Sequence, residues 1–313
     1  MRFTVQYPIH PAPAHASSGY ADALLEPESI IRFATAAEAA GFDALAFTEH
    51  PAPSQKWVVS GGHDSFDTTT VLALAAAVTS RLRLIPYAMV LPYRNPFLAA
   101  KQLTSLDLVS DGRAVLAAAV GYLRSEFLAL GVEFDERNEL FDESIEVIRR
   151  LWTAKNVKFE GRHFTALGQT QLPFPTRPLP IWIAGNSQRA RQRAAEYGAG
   201  WCPVQYGPEQ AATTRTPALE TVDDLGTAIA DLKLRTEKAG RDPDALEIQV
   251  ESRASGVLMA GDSLAEHRDH LVRLAEVGVT QFVVDTPIAG IDEAADSMRH
   301  YAAEVIAVLG GTA

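Results

Sequence analysis

The fold is decided by the stretch Gly41-Phe-Asp-Ala-Leu-Ala-Phe-Thr-Glu-His50, in which a strand-like run ends in two ionisable residues. Residues 44–47 are apolar without alternation, which predicts a buried strand covered on both faces. Glu49 and His50 follow where this strand should leave the core. A carboxylate beside an imidazole is suited to proton transfer, so the stretch predicts an α/β enzyme with its chemistry at a strand end.

Strand-like and helical segments alternate along the rest of the chain. Eight strands separated by helices predict a (β/α)8 TIM barrel, formed as a single domain by residues 1–313. A doubly wound sheet is the alternative, but it predicts a glycine-rich phosphate loop, and no G-x-G-x-x-G follows the first strand. The predicted strands are residues 3–7, 42–48, 82–91, 114–120, 180–184, 200–204, 246–250 and 281–284, and the predicted helices are residues 27–40, 67–79, 95–110, 136–153, 187–197, 222–239, 263–277 and 291–309.

Two segments depart from this alternation. Residues 157–166 predict a small hairpin around Gly161, which makes an insertion between strands four and five. Residues 207–220 are rich in Pro, Thr and Ala, and they predict a mobile loop after strand six.

The composition is typical of a soluble globular protein, with 47% hydrophobic and 21% charged residues among 313. A formal net charge of −11 argues against a nucleic-acid partner. No apolar stretch is long enough for a membrane span, and Cys202 is the only cysteine, so we expect a cytoplasmic protein without disulfides. No His or Cys cluster has metal-ligand spacing, so no metal site is predicted.

Candidate site residues are the side chains at the carboxyl ends of the strands, where barrel enzymes place their chemistry. His50 is the candidate proton donor, with Glu49 as its acid partner; a packed histidine hydrogen-bonded to Glu49 is the alternative. Glu126 is a second catalytic acid candidate, or else a partner of the helix dipole. The strand-end residues expected to contact a ligand are Met89, Val90, Gly121, Tyr122, Ala184, Gly185, Asn186 and Ser187.

The sequence after strand five also indicates a phosphate site. Ile183-Ala-Gly-Asn-Ser187 passes from a strand through small residues into a helix, whose first N–H groups favour phosphate. A capped helix without a ligand is the alternative.

Four loop residues are candidates for the wall of a pocket that takes a small-molecule substrate. Trp57 follows a proline-rich segment and suits stacking on a planar ligand. His10 and His63 lie in predicted loops over the same face of the barrel, and Tyr206 follows strand six.

Taken together, these residues resemble the luciferase-like flavin and deazaflavin oxidoreductases. The resemblance covers nearly the whole chain and looks most like the branch that uses coenzyme F420, a deazaflavin. Its most specific stretches are GFDALAFTEHPAPS (41–54), VLPYRNPFLAAKQLTSLDLVSDGR (90–113), VGYLRSEFLALGVEFDERNELFDESIEVIRRLW (120–152) and PIWIAGNSQRARQRAAEYGAGW (180–201).

The resemblance implies a TIM-barrel homodimer in which the pair Glu49-His50 meets the deazaflavin ring. It also implies a bend near residues 88–90 that supports the ring, often with a non-proline cis peptide, and phosphate capture by residues 185–187. The implied reaction is hydride transfer between reduced F420 and a small organic substrate.

Two alternatives stay open. F420 relatives commonly have Asp-His where this chain has Glu49-His50, and some FMN-dependent relatives have Glu-His. An FMN-dependent monooxygenase supplied with reduced flavin by a separate reductase is therefore the first alternative. Strand four reads Leu116-Ala-Ala-Ala-Val-Gly121, where relatives are usually glycine-rich, so a non-catalytic flavin- or deazaflavin-binding protein is the second.

Overall fold

A computed structural model describes residues 1–8 and 24–310 of the chain. The candidate pocket residue His10 lies outside these residues. The strands within them are β1 (Arg2–Gln6), β2 (Ala44–Phe47), β3 (Arg83–Pro86), β4 (Met89–Val90), β5 (Leu116–Ala119), β6 (Val157–Glu160), β7 (Thr165–Gln169), β8 (Ile181–Ala184), β9 (Gly200–Cys202), β10 (Val204–Gln205), β11 (Glu247–Ser252) and β12 (Gln281–Asp285).

Helices follow most of the strands. They begin and end close to the predicted residues, as at Pro27–Ala40, where Pro27 opens the helix and Gly41 ends it in the left-handed conformation. The α-helices are α1 (Pro27–Ala40), α2 (Gln55–Val59), α3 (Thr68–Val78), α4 (Pro96–Val109), α5 (Arg124–Ala129), α6 (Arg137–Thr153), α7 (Gln188–Tyr197), α8 (Pro208–Thr213), α9 (Val222–Lys238), α10 (Val257–Ala260), α11 (Leu264–Glu276), α12 (Ile291–Tyr301) and α13 (Ala307–Gly310).

The parallel strands form a nearly closed barrel in the order β3-β2-β1-β12-β11-β9-β8-β5-β4, with β10 paired to β11. A parallel bridge between Leu84 and Ala114 brings β3 back to the chain just before β5. The eight predicted strands correspond to β1, β2, β3 with β4, β5, β8, β9 with β10, β11, and β12. The predicted (β/α)8 barrel is therefore confirmed.

Alternation along the strands separates two apolar layers. In β2, Leu45 and Phe47 join the large core that includes the helices, whereas Ala44 and Ala46 belong to the smaller cluster inside the barrel. Trp182 is fully buried in that inner cluster. The barrel interior is therefore filled with side chains, and a ligand can enter only at its mouth.

Three segments differ from the prediction. The third strand is not continuous over 82–91, because a cis peptide bond between Tyr87 and Ala88 separates β3 from β4. The segment 207–220 is not only loop: it contains α8, and its end is held by a hydrogen bond from Leu219 N to Tyr206 O. The last helix is interrupted by a π-helical turn over residues 302–306.

The hairpin formed by β6 and β7 lies in the chain between β5 and β8, the fourth and fifth strands of the barrel. Its two strands are antiparallel and belong to a separate sheet. No helix in residues 1–8 or 24–310 is long and apolar enough to cross a membrane.

Candidate active site

His50 and Glu126 form an imidazole–carboxylate pair at the carboxyl ends of the strands. The Nδ1 atom of His50 lies 3.2 Å from Oε2 of Glu126, which is in the first turn of α5 and is fully buried. The same Oε2 accepts a hydrogen bond of 2.9 Å from the Tyr93 hydroxyl, and Oε1 accepts one of 3.2 Å from Ala52 N. These bonds hold the buried carboxylate in one orientation, and it in turn orients the imidazole.

The other imidazole nitrogen faces an aromatic group. The Nε2 atom of His50 lies 3.4 Å from the Tyr122 hydroxyl. The Trp57 ring centre is 4.4 Å from that of His50, and the His63 ring centre is 5.0 Å away. Trp57, His63 and Tyr122 were all predicted from strand-end or loop positions, and the structure brings them together around His50. Burial lowers the pKa of His63, which favours its neutral form.

Glu49 does not have the place expected for it beside the imidazole. Its Oε2 accepts a hydrogen bond of 2.8 Å from Val90 N, and its Oε1 is paired with Arg94. Its side chain is 3% exposed, so the ion pair is buried. The acid that contacts His50 is therefore Glu126, and Glu49 instead holds the chain after the Tyr87–Ala88 cis peptide.

Val90 and Gly121 lie close together on this side of the barrel mouth, whereas the Met89 side chain packs in the large core beside the helices. Met89 and Val90 are buried. Gly121 has a φ of 78°, and a Cβ there would lie 2.7 Å from Val90 Cγ1 and 3.0 Å from Phe127 Cε2. A side chain at residue 121 is thus excluded by both conformation and space, which lets the backbone after β5 approach the bend after β3.

In the predicted phosphate segment, residues 185–187, two of the backbone N–H groups already donate hydrogen bonds within the protein. Gly185 N donates to Cys202 O, and Asn186 N donates to the Thr216 hydroxyl. The Asn186 amide is buried and bonds to Val204 and Pro217. Ala184, at the end of β8, is half-buried.

The start of α7 keeps donors for an anion. The Ser187 hydroxyl caps α7 by accepting a hydrogen bond from Ala190 N. In the described part of the chain, the N–H groups of residues 187–189 have no protein acceptor. The remaining donors for a phosphate therefore lie at residues 187–189.

A pair of carboxyl groups at the opposite side of the mouth was not predicted. Glu251 is the last but one residue of β11, and Asp285 is the last residue of β12. The Tyr206 hydroxyl donates a 2.6 Å hydrogen bond to Glu251 Oε1. Burial, then the neighbouring Glu251, raise the pKa of Asp285 to about 7. Burial also raises the pKa of Glu251. Applying the strand-end rule to strands seven and eight would have found both residues.

Tyr122 connects the two sides of the mouth. Burial is the main cause that raises its pKa to about 12, and the carboxylates of Glu126 and Glu251 both contribute. Tyr206, predicted as a pocket residue, lies with Glu251 on the far side from His50. The site is therefore a mouth with an imidazole on one side and a carboxyl pair on the other.

The Asp285 pKa makes a prediction for stability. Because this pKa is raised above the ordinary value of 3.8, the stability it contributes is complete below about pH 4 and is lost as the pH rises through about 7. Raising the pH from 5 to 8 removes this stability from the wild type but not from Asp285→Asn. We therefore expect the free energy of unfolding of the wild type to fall, relative to that of Asp285→Asn, by on the order of 2 kcal/mol between the two pH values. Urea unfolding at both pH values measures this, and parallel pH profiles of the two proteins would contradict it.

Within the described residues, no group of three or more His, Cys, Asp and Glu side chains is placed to hold a metal ion. The geometry instead offers an oriented imidazole, a close backbone approach without side chains and donors for an anion. This arrangement suits an organic cofactor and proton transfer.

A parallel barrel with an imidazole–carboxylate pair at its strand ends defines the class: a barrel enzyme with a site for acid–base chemistry. The chain belongs to the luciferase-like monooxygenase family, whose model matches residues 1–306. It is therefore an oxidoreductase, as the resemblance in its sequence implied.

The chain also matches relatives over most of its length. An uncharacterised protein of Mycobacterium tuberculosis is 30% identical over 277 residues, covering 85% of this chain and 87% of the relative. An F420-dependent glucose-6-phosphate dehydrogenase of Intrasporangium calvum is 29% identical over 294 residues, covering 88% and 85%. The solved structure of riboflavin lyase with modified FMN and riboflavin superposes with a TM-score of 0.76 at 16% identity, covering 100% and 92%, which confirms the fold.

Proposed function

We propose that this protein is an F420-dependent oxidoreductase that transfers hydride between F420 and a small organic substrate at the mouth beside His50. The observation that carries the proposal is the His50–Glu126 pair, set against the bend at residues 87–90 and the bare backbone of Gly121. The relatives named as F420-dependent dehydrogenases support the choice of cofactor.

The residues present fit a flat ring on this side of the mouth. Gly121 lets the backbone after β5 pass close to Val90 and the bend at residues 87–90, where a Cβ would lie 2.7 Å from Val90 Cγ1. The Thr48 hydroxyl, at the end of β2, is buried without a hydrogen-bond partner in the described chain. When bound, the deazaflavin would supply the hydride chemistry, and the start of α7 at residues 187–189 would hold its phosphate.

The proton is handled by His50. We place the proton of the His50–Glu126 bond on Nδ1, which leaves the Nε2 lone pair on the side of the Tyr122 hydroxyl. Oxidation of an alcohol to a carbonyl breaks a C–H bond as hydride and an O–H bond as a proton, and Nε2 is placed to accept that proton. Glu126 stabilises the resulting imidazolium, and in the reverse direction His50 returns the proton.

An FMN-dependent monooxygenase is the second candidate function. It is favoured by Glu49, because some FMN-dependent relatives have Glu-His where F420 relatives commonly have Asp-His, and by the FMN-bound neighbour of the same fold. A separate reductase would then supply reduced flavin. A non-catalytic cofactor-binding protein is the third candidate, and it predicts that no substrate is turned over.

For the assembly we propose a cytoplasmic homodimer. Large apolar side chains on the helices and the hairpin are strongly exposed, among them Leu98, Leu128 and Leu167. Burying such side chains between two copies would be favourable. Sedimentation equilibrium tests this, and a monomer at micromolar concentration would contradict it.

The cofactor proposal is tested by titrating the purified protein with F420 and with FMN, following the cofactor fluorescence. We expect saturable F420 binding at least tenfold tighter than FMN binding. Tight FMN binding without F420 binding would contradict the proposal. Oxygen uptake with reduced FMN and a substrate would then establish the monooxygenase.

A further inference from the structure

Three arginine side chains surround one phenylalanine near the barrel mouth. The guanidinium carbons of Arg137, Arg124 and Arg215 lie 4.0, 4.4 and 5.5 Å from the centre of the Phe134 ring. They come from three separate segments: Arg124 begins α5, Arg137 begins α6, and Arg215 follows α8. Such a gathering requires the folded chain, so it is a built feature and not a charged run of sequence.

The positive charge of this cluster is only partly neutralised. Arg124 forms a 3.0 Å ion pair with Asp135, and Arg137 donates to the Phe134 carbonyl. Among the described residues, neither Arg137 nor Arg215 has a carboxylate within ion-pair distance. Burial lowers the pKa of Arg137; the nearby Asp135 carboxylate opposes this, and repulsion by Arg215 and Arg124 adds to it. Two guanidinium groups without an ion-pair partner in the described chain, those of Arg137 and Arg215, therefore lie beside one ring in a protein of net charge −11.

The cluster lies where the two segments proposed to hold the cofactor meet. Phe134 packs edge-on against Phe127 at 5.1 Å, and Phe127 is the ring that a Cβ at Gly121 would strike. On the other side, Arg215 precedes Thr216, whose hydroxyl accepts the hydrogen bond from Asn186 N. The arginines are thus next to both the ring side and the phosphate side of the proposed cofactor site.

We propose that Arg124, Arg137 and Arg215 form a binding site for the carboxylates of the glutamate tail of F420. This proposal rests on the proposed function. F420 carries a phosphodiester and, beyond it, a chain of glutamates, so it presents two kinds of anion. The N–H groups at the start of α7 suit the phosphodiester, and guanidinium groups in a fork geometry suit the carboxylates that follow it.

The test compares a double variant, Arg124→Ala with Arg215→Ala, with a control double variant, Arg81→Ala with Arg299→Ala. Both double variants remove two exposed arginines and change the net charge equally. In the control, Arg81 lies just before β3 and Arg299 lies on α12. Arg137 is left in place because it is half-buried against Phe134. Circular dichroism and the thermal midpoint establish that each variant is folded.

Three probes separate the sources of negative charge: F420 with its glutamates, the phosphorylated form without glutamate, and the deazaflavin riboside without phosphate. We expect Arg124→Ala with Arg215→Ala to weaken F420 binding about tenfold at low salt, with less salt dependence than the wild type. Arg124→Ala with Arg215→Ala should bind the riboside and the glutamate-free form as tightly as the wild type does. The control variant, Arg81→Ala with Arg299→Ala, should bind all three probes as tightly as the wild type.

Each other outcome overturns a distinct statement. Unchanged F420 affinity in Arg124→Ala with Arg215→Ala would overturn the arginine site. An equal loss for the glutamate-free form would assign the arginines to the phosphodiester and overturn the tail site. An equal loss for the riboside would show that the cluster acts on the fold. A wild type that binds no F420 would refute the proposed function itself, and the tail site with it.

Discussion

Glu126→Gln is expected to lower kcat for F420 turnover by about 10²-fold or more, while changing the F420 dissociation constant by less than about threefold. The reason is that Glu126 contacts the imidazole and not the mouth, so it acts on the proton and not on cofactor binding. Replacing the carboxylate with an amide keeps its shape but removes the charge that stabilises a protonated His50. An alcohol panel screened by the loss of oxidised F420 absorbance supplies the substrate.

The control for this variant is Glu133→Gln, at an exposed glutamate between α5 and α6, which should have wild-type kcat. His50→Ala should be at least as impaired as Glu126→Gln, and the double variant should be no worse than His50→Ala, because residues that act as a unit are not additive. Unchanged turnover in His50→Ala would refute the proposed proton transfer. Multiplying effects in the double variant would show that the two residues do not act together.

Glu49→Gln is expected to lower the free energy of unfolding by about 3 kcal/mol, because it breaks a buried ion pair and leaves Arg94 without its partner charge. Glu49 is 3% exposed and Arg94 18% exposed at their side chains. The bond from Val90 N to Glu49 also holds the chain beside the Tyr87–Ala88 bend. Urea unfolding at neutral pH measures the loss.

The control is Asp292→Asn, which breaks the exposed ion pair with Arg32. That pair has exposures of 84% and 45%, so its removal should cost less than about 1 kcal/mol. Equal losses in Glu49→Gln and Asp292→Asn would contradict the structural role of Glu49. Glu49→Asp, which keeps the charge, should lose less stability than Glu49→Gln.

The barrel was predictable because periodicity and helix signals are local. The apolar run at residues 44–47 predicts β2, and Pro27 and Gly41 predict the bounds of α1. Periodicity did not reveal the break at Tyr87–Ala88, because an apolar run has the same appearance whether or not the strand is interrupted. The family resemblance did imply it, as a bend near residues 88–90 with a non-proline cis peptide.

The acid partner of His50 could not be chosen from the sequence. Glu49 is its neighbour in the chain, but Glu126 is 76 residues away and is brought to the imidazole by the barrel. Adjacent residues at the end of a strand point to opposite sides, which separates Glu49 from His50. The strand-end rule therefore located the site but did not pair its side chains.

The other features of the mouth depended on long-range contacts to different degrees. Glu251 and Asp285 follow apolar strands, so their positions alone could have identified them. The cluster around Phe134 draws its arginines from segments as far apart as residues 124 and 215. No local pattern predicts such a cluster, because it depends on how the starts of α5 and α6 pack against the segment after α8.

The most direct test of the central claim is an experimental structure of the protein with F420 bound. We predict that the deazaflavin ring lies against His50 and the backbone of residues 88–90, with Glu126 still hydrogen-bonded to His50. A ring bound away from His50, or a His50 side chain turned away from Glu126 in that complex, would contradict the account.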